Sequence, residues 1–302
     1  TFIAMAGYLI YFNLTQAESI INNSYNKRQG VLSRRTIRGS ILSDDKTKLA
    51  VTNVDDDGNE TRYYPYSGLF SHAIGYLNNG GYGLESLYGY YMLHSNQNFF
   101  EQIGNDLSGN RNTGDNVVTT LNVGLQKACY DALGSNRGAV IVMEPSTGKI
   151  LAMVSKPDFD PNTLAANWSQ ITGEGSDSVL VNRATQGLYP PGSTFKLITM
   201  LEYLREHKND YGQYHYICDG TYELGNNTIN CVRTTAHGDV DLFSSLAVSC
   251  NCSFINIGLS LDLDRYKKTA EKMLFNKELP TNLEYNKSRF VLNGESSEWD
   301  IA

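Results

Sequence analysis

The stretch "VVTTLNVGLQKACYDALG", Val117 to Gly134, is followed almost at once by "GAVIVMEPSTGKILAMVS", Gly138 to Ser155. The first opens on β-branched residues and continues with Val123, Cys129 and Leu133 at helical spacing, which predicts a strand leading into an amphipathic helix. The second consists of two apolar runs either side of Glu144 to Lys149, where Pro145 and Gly148 suit a turn, so the runs should pair as an antiparallel hairpin. Helices laid against an antiparallel sheet define the α+β class. The "STGK" inside the turn resembles the end of a phosphate loop. That motif would need glycine where Met143 stands and a helix after Lys149, where a strand is predicted. A nucleotide site is excluded on both counts.

Upstream, the residues from Asn13 to about Asn116 are rich in Asn, Gly and Tyr. "RGSILSDDKTKLAV", Arg38 to Val51, reads as two short strands around an Asp-Asp-Lys turn. "GLFSHAIGYLNNGGYGLESLYGYYM" breaks at Asn-Asn-Gly-Gly and resumes as a helix expected to carry Leu84, Leu87 and Tyr91 on one face. No catalytic constellation stands out, and residues 14–115 read as a scaffold domain. Before them "FIAMAGYLIYF" is an uncharged apolar run of 11 residues. A bilayer crossing needs about 20. Since the chain begins at Thr1 and polar sequence follows the run, residues 1–13 are expected to be the outer end of a longer membrane anchor; the alternative is a buried helix or strand.

At 302 residues the chain exceeds the usual single domain, and two domains are expected. Its 41% hydrophobic content and 7 prolines are those of a folded protein. A net charge of -7 argues against a nucleic-acid partner, because binding phosphates requires clustered Lys and Arg. Cys129, Cys218, Cys231, Cys250 and Cys252 form no CxxC pair and no Cys/His spacing typical of zinc, so no metal site is expected. Cys218 and Cys231 bracket "CDGTYELGNNTINC" and could close as a disulfide in an oxidising compartment.

Downstream, "LYPPGSTFKLITM", Leu188 to Met200, sets Pro190, Pro191 and Gly192 directly before Ser193, with Lys196 three residues on. Serine followed by lysine at that spacing also occurs at Ser24/Lys27, Ser43/Lys46 and Ser146/Lys149. Only Ser193 stands at the start of a strong helix, whose apolar face should comprise Phe195, Ile198, Leu201 and Tyr203 or Leu204. There Ser193 is either a helix cap or a nucleophile whose proton is taken by a Lys196 desolvated one turn behind it. "HGDVDLFSSLAVSCNCSFINIGLSL" reads as a helix around Leu242 to Val248, a break, and a second helix from about Ser253. Ser249 and Asn251 fall in the break, where a hydroxyl can relay a proton and an amide can bind a substrate carbonyl. Ser-x-Asn also occurs at Ser24 to Asn26 and Ser108 to Asn110, and the bland alternative is an asparagine at a helix junction.

Taken together, Ser193-Thr194-Phe195-Lys196 and Ser249-Cys250-Asn251 resemble the first two motifs of the penicillin-binding proteins and serine β-lactamases. The similarity extends along "TTLNVGLQKACYDAL", "GAVIVMEPSTGKILAMVSKPDFDPN", "NRATQGLYPPGSTFK" and "HGDVDLFSSLAVSCNCSF", while "RGSILSDDKTKLA" and "YGLESLYGYYM" resemble the pedestal of the class B, monofunctional group. The resemblance implies an elongated mixed α/β pedestal over residues 14–115 and an α+β transpeptidase domain over 116–302. It implies a D,D-transpeptidase that cross-links peptidoglycan stem peptides on the outer face of the bacterial cytoplasmic membrane, with Ser193 as nucleophile, Lys196 as base, Ser249 as proton relay and Asn251 binding substrate. β-Lactams would acylate the same serine, no metal or organic cofactor is required, and a membrane glycosyltransferase is a candidate partner. A D,D-carboxypeptidase, a β-lactamase and a non-catalytic sensor or scaffold are the alternatives. The family's third motif, Lys-Thr/Ser-Gly, is absent from these residues, which is expected if the chain is truncated. Cys250, a thiol beside the site, would be open to oxidation outside the cytoplasm.

Overall fold

The computed structural model describes residues 2–15, 32–96, 103–105, 107–173 and 175–301. Contacts divide the chain into two units, Thr1–Gly187 with Asn282–Tyr285, and Leu188–Thr281 with Asn286–Ala302.

The first unit opens with the 14-residue helix Phe2–Thr15. Among the described residues no helix is long and apolar enough to cross a membrane. The unit's largest sheet runs in the order Glu60–Tyr63, Lys48–Val54, Ile41–Leu42, Val117–Val118. Its first two pairings are antiparallel and the last is parallel. The Asp-Asp-Lys turn lies where expected, closed by the Ser43 N–H donating to Thr47 O at 2.9 Å. Ile41, Leu49, Ala50, Phe70, Ile74 and Met92 form the core against this sheet.

The segment after Asn-Asn-Gly-Gly differs from its expected single face. It divides into the short helix Gly83–Leu87 and a 3-10 turn, Tyr91–Leu93, and Tyr91 points largely into solvent. Within the helix Gly83–Leu87 the buried residue is Glu85, which accepts from Arg38 Nε at 2.9 Å and from Arg62 Nε at 2.7 Å. Two guanidinium groups satisfying one carboxylate outweigh an apolar contact at that position, because an unpaired charge could not stay buried.

The helix Val123–Leu133 and the strands Gly138–Met143 and Ile150–Lys156 follow as the pattern predicts. The strands are antiparallel, with Val140 opposite Val154. Asn122 caps the helix by accepting from the Leu125 N–H at 2.9 Å. Gln126, wholly buried, donates to Met153 O and accepts from the Met153 N–H, both at 2.8 Å, so the helix is fastened to the strand it covers. Cys129, Ala152 and Val154 fill the layer between them. This is the α+β arrangement of helix on antiparallel sheet.

The second unit contains the helices Lys196–Glu206, Leu242–Ala247, Asn251–Ser260 and Leu263–Lys272. Two antiparallel strand pairs, His215–Cys218 with Gly238–Asp241 and Thr221–Leu224 with Asn227–Asn230, lie between the first and second of these helices in the chain. Ile198, Tyr203, Leu242, Phe254, Ile257 and Tyr266 are central to its core. The apolar face of Lys196–Glu206 is rotated from the expected one: Met200 is buried and Leu201 only partly. The rotation brings Glu202 inside, where the Thr269 hydroxyl donates to its carboxylate and accepts from Arg205 Nη1 at 2.6 Å.

Candidate active site

Ser193 does not cap the helix that follows it. Gly192 takes a φ of +56°, a left-handed value that suits glycine, and Gly192–Phe195 forms a 3-10 turn before the α-helix begins at Lys196. Neither terminus carries a side-chain cap; the nearest hydroxyl bond is Thr194 Oγ1 donating to Pro191 O at 2.7 Å. The Ser193 side chain is exposed. The prolines and glycine therefore set a turn that presents the serine, where the sequence alone pointed to the helix start itself. Of the competing serines, Ser43 is buried in its strand turn, Ser146 lies in the hairpin turn, and Ser24 falls outside the described residues. The Ser108 to Asn110 pair belongs to the first unit.

The break between the two downstream helices is present, with the second starting at Asn251 rather than Ser253. Asp241 and Ser244 form a reciprocal cap at the start of the first helix. The chain then turns through Ser249 at a φ of +53°, and Cys250 donates its N–H to Ser245 O at 2.9 Å. Cys250 Sγ caps the second helix by accepting from the Ser253 N–H. A left-handed serine is a costly conformation, kept only where surrounding contacts over-determine it.

Those contacts converge on Lys196. Its Nζ donates to Ser249 O at 2.8 Å, Ser249 Oγ at 3.0 Å and Asn251 Oδ1 at 2.7 Å. Three acceptors match the three N–H bonds of an ammonium. The Phe254 ring, 5.5 Å from Nζ, adds a weaker attraction for the cation. Burial acts the other way and lowers the lysine pKa below its ordinary value, with the nearby sulfur groups of Cys250, Cys231 and Cys252 opposing that shift. When Lys196 is neutral it has a lone pair, and the Ser249 hydroxyl, which can accept or donate, is placed to turn toward it. Asn251 is itself held by Nδ2 donating to Asn230 O at 2.9 Å. Ser193, Lys196 and Asn251 share the wall of a cleft of about 360 Å³, floored by Phe254 and Tyr266. The four residues singled out in the sequence are thus in one unit: a direct network joins Lys196, Ser249 and Asn251, and Ser193 stands exposed on the same cleft as Lys196 and Asn251.

The cysteines meet in space in a way that their spacing along the chain does not show. Donor atoms of Cys218, Cys231, Cys250 and His237 all lie within 4.8 Å of one another, although no metal set was expected. Cys218 and Cys231 do meet, but as free thiols with Sγ atoms 3.7 Å apart. Linear spacing concealed the cluster because its members come from a strand end, two loop positions and a helix cap. The legible signal was four of the five cysteines lying in the span 218–252.

Residues 138–298 match the penicillin-binding protein transpeptidase domain, and residues 38–117 match the penicillin-binding protein A dimerisation domain. The chain is 34% identical over 232 residues to the peptidoglycan D,D-transpeptidase PbpA of Mycolicibacterium smegmatis, covering 70% of this chain and 46% of the relative. It thus spans about half the length of that curated relative. Penicillin-binding protein A of Mycobacterium tuberculosis, solved as a ceftriaxone acyl-enzyme complex, superimposes with a TM-score of 0.78 at 27% identity, over 89% of this chain and 65% of that one. The D,D-transpeptidase domain of a peptidoglycan glycosyltransferase from Eggerthella lenta gives a TM-score of 0.74 at 32% identity, over 88% of this chain and 59% of that one.

Proposed function

Because the chain belongs to the penicillin-binding protein transpeptidase family, with the class B arrangement of a dimerisation-type region before the transpeptidase domain, we propose that it serves as a serine D,D-transpeptidase of peptidoglycan synthesis. The observation that carries this is the Lys196 amine, held by Ser249 and Asn251 on the cleft that also exposes Ser193.

In this reading neutral Lys196 takes the Ser193 proton as Oγ attacks the carbonyl carbon of the penultimate D-Ala in a D-Ala-D-Ala stem peptide. The resulting ammonium regains its three acceptors, which stabilises it as charge builds on the oxyanion. Collapse breaks the peptide C–N bond. The departing amine needs a proton, and the Ser249 hydroxyl, bonded to Lys196 Nζ, passes one on. An acceptor amine then attacks the acyl-serine, gives up a proton along the reverse path and releases Ser193. Asn251 directs Oδ1 to the lysine, and its amide lies at the cleft to bind the substrate backbone. With a β-lactam, ring opening leaves the amine tethered to the acyl group, so the acyl-enzyme persists. The substrate of this reaction lies outside the cytoplasmic membrane, so the reading has the catalytic unit work on that side, and the apolar helix Phe2–Thr15 suits a segment associated with the bilayer. A membrane glycosyltransferase, which would supply the glycan strands that carry the stem peptides, is the partner this activity calls for.

A fluorescent penicillin provides the test. The protein is expected to label covalently and release the label slowly, and Ser193→Ala should abolish labelling. Labelling that survives in the variant overturns the assignment of the nucleophile; rapid release moves the reading to a hydrolase.

A further inference from the structure

The strand Glu60–Tyr63 is the outer edge of the four-stranded sheet in the first unit, and its free side is only partly covered. Asp55 donates its N–H to Asn59 O at 3.1 Å where the chain turns back on Lys48–Val54, and hydrogen-bonded pairs in an antiparallel ladder alternate with non-bonded ones. Thr61 and Tyr63 therefore bond inward, to Asn53 and Val51, while the backbone groups of Glu60, Arg62 and Tyr64 point outward. At Tyr64 the outward pair is occupied: the Asn162 amide accepts from the Tyr64 N–H at 2.9 Å and donates to Tyr64 O at 3.0 Å. A side-chain amide that bonds both groups stands where the peptide unit of a next strand would stand. At Glu60 and Arg62 the corresponding N–H and C=O groups have no partner among the described residues.

Beside this edge lies a groove of about 490 Å³ that takes in Glu60, Arg62 and Tyr64 from the strand, with Arg38 and Leu93 in its wall. Two of these groups are buried with bonding capacity left over. Arg38 is 6% exposed and uses Nε and Nη2 on Glu85, whereas Nη1 has no partner among the described residues. Tyr64 is 5% exposed and its hydroxyl bonds nothing. Burial raises the Tyr64 pKa, so the hydroxyl keeps its proton and stands ready to donate. A buried polar group without a partner is costly, and native structures keep few of them. Charge is left over as well: Arg38 and Arg62 share the single carboxylate of Glu85, and Glu60 is already paired with Arg111 at 2.5 Å. The groove thus offers two donors and one uncompensated positive charge.

We propose that the Glu60–Tyr63 edge and this groove form the docking site for an extended segment of a partner protein that carries an aspartate or glutamate. The segment adds as a further strand and bonds the outward groups of Glu60 and Arg62, continuing the row that Asn162 begins. A side chain opposite Arg62 lies on the same face as Arg62 and Tyr64, so an acidic residue there enters the groove and accepts from Arg38 Nη1 and the Tyr64 hydroxyl. A carboxylate fits better than a phosphate, because one negative charge balances the excess and its two oxygens match the two donors. Edge pairing with a second copy of this chain would bring no such group, since the strand's only acid, Glu60, is taken by Arg111. The proposal does not rest on the transpeptidase reading, since its readouts need no substrate.

The probes are short peptides, acetylated and amidated at their ends, that alternate threonine with valine and carry glutamate, glutamine or lysine at one central position. The glutamate peptide should bind, and the other two should bind at least about tenfold more weakly, as expected for loss of a hydrogen bond to a charged group. Tyr64→Phe should weaken the glutamate peptide by about the same factor while leaving the thermal midpoint of the free protein unchanged or raised, because the hydroxyl bonds nothing there. Amide exchange at Glu60 and Arg62, fast in the free protein, should slow when the peptide is bound. Equal binding of the three peptides overturns the acidic partner, and full binding to Tyr64→Phe overturns the part given to the groove. Binding that leaves the Glu60 and Arg62 amides unprotected overturns the strand addition. No binding by any of the peptides overturns the site. A dimer in sedimentation with those two amides already protected also overturns it, and assigns the edge to a second copy of the chain.

Discussion

Replacing Asn251 by alanine isolates the part of the lysine network that the backbone cannot supply. The substitution removes the Oδ1 acceptor 2.7 Å from Lys196 Nζ and the Nδ2 donor to Asn230 O, and leaves the Ser249 carbonyl and hydroxyl in place. A hydrogen bond to a charged group contributes about 1.5–3 kcal/mol. Lys196 is only half-buried, so water compensates in part and the lower half of the range applies. At about 1.4 kcal/mol per factor of ten, acylation should slow roughly 10- to 30-fold. Asn230 O sits where solvent can replace the lost donor, so the thermal midpoint should hardly move. The variant also has a signature in pH. Oδ1 bonds the ammonium form, so its loss disfavours that form and moves the acylation midpoint to lower pH, and the slowing is seen above the midpoint, where the resting lysine is neutral. The measurement is the second-order rate of fluorescent-penicillin acylation from neutral to alkaline pH, beside a thermal melt. An unchanged rate, or a midpoint moving upward, would falsify the assignment of Asn251 as a partner of Lys196.

Two further outcomes follow from the same geometry. In the unaltered protein, acylation should rise with pH as Lys196 loses its proton, and because burial lowers its pKa the rise should be centred below the ordinary lysine value of about 10.4; a profile centred at or above that value contradicts a desolvated base. In the first unit, Glu85→Ala leaves the Arg38 and Arg62 guanidinium groups buried without their carboxylate, which should cost about 3–5 kcal/mol in denaturant unfolding, and a loss under about 1 kcal/mol would show that the carboxylate is not what keeps the two arginines inside.

Much of the fold was legible because it rests on local pattern. The Val123–Leu133 helix and the hairpin after it follow from apolar periodicity and from Pro145 and Gly148 in the turn. Glu85 was not legible in this way: its burial depends on Arg38 and Arg62, 47 and 23 positions away in sequence. The face of Lys196–Glu206 was misplaced for the same reason, since Glu202 turns inward to meet Thr269, 67 positions on. A propensity scale assigns such carboxylates to solvent and has no way to count a distant partner.

The amino-acid sequence by itself determined which residues stand as candidates for the proposed acyl transfer. It supplied a serine behind a Pro-Pro-Gly turn, a lysine three residues later and a Ser-x-Asn in a helix break, and its family pattern separated Ser193 from three other serines with the same spacing. Tertiary structure decided how the lysine is held, because its three acceptors come from residues 53 to 55 positions away and depend on a left-handed Ser249. It alone gathered Cys218, Cys231, His237 and Cys250. Spacing along the chain reveals a donor cluster when its members fall into a recognised pair motif. These four lie on separate segments, and folding brings their donor atoms together.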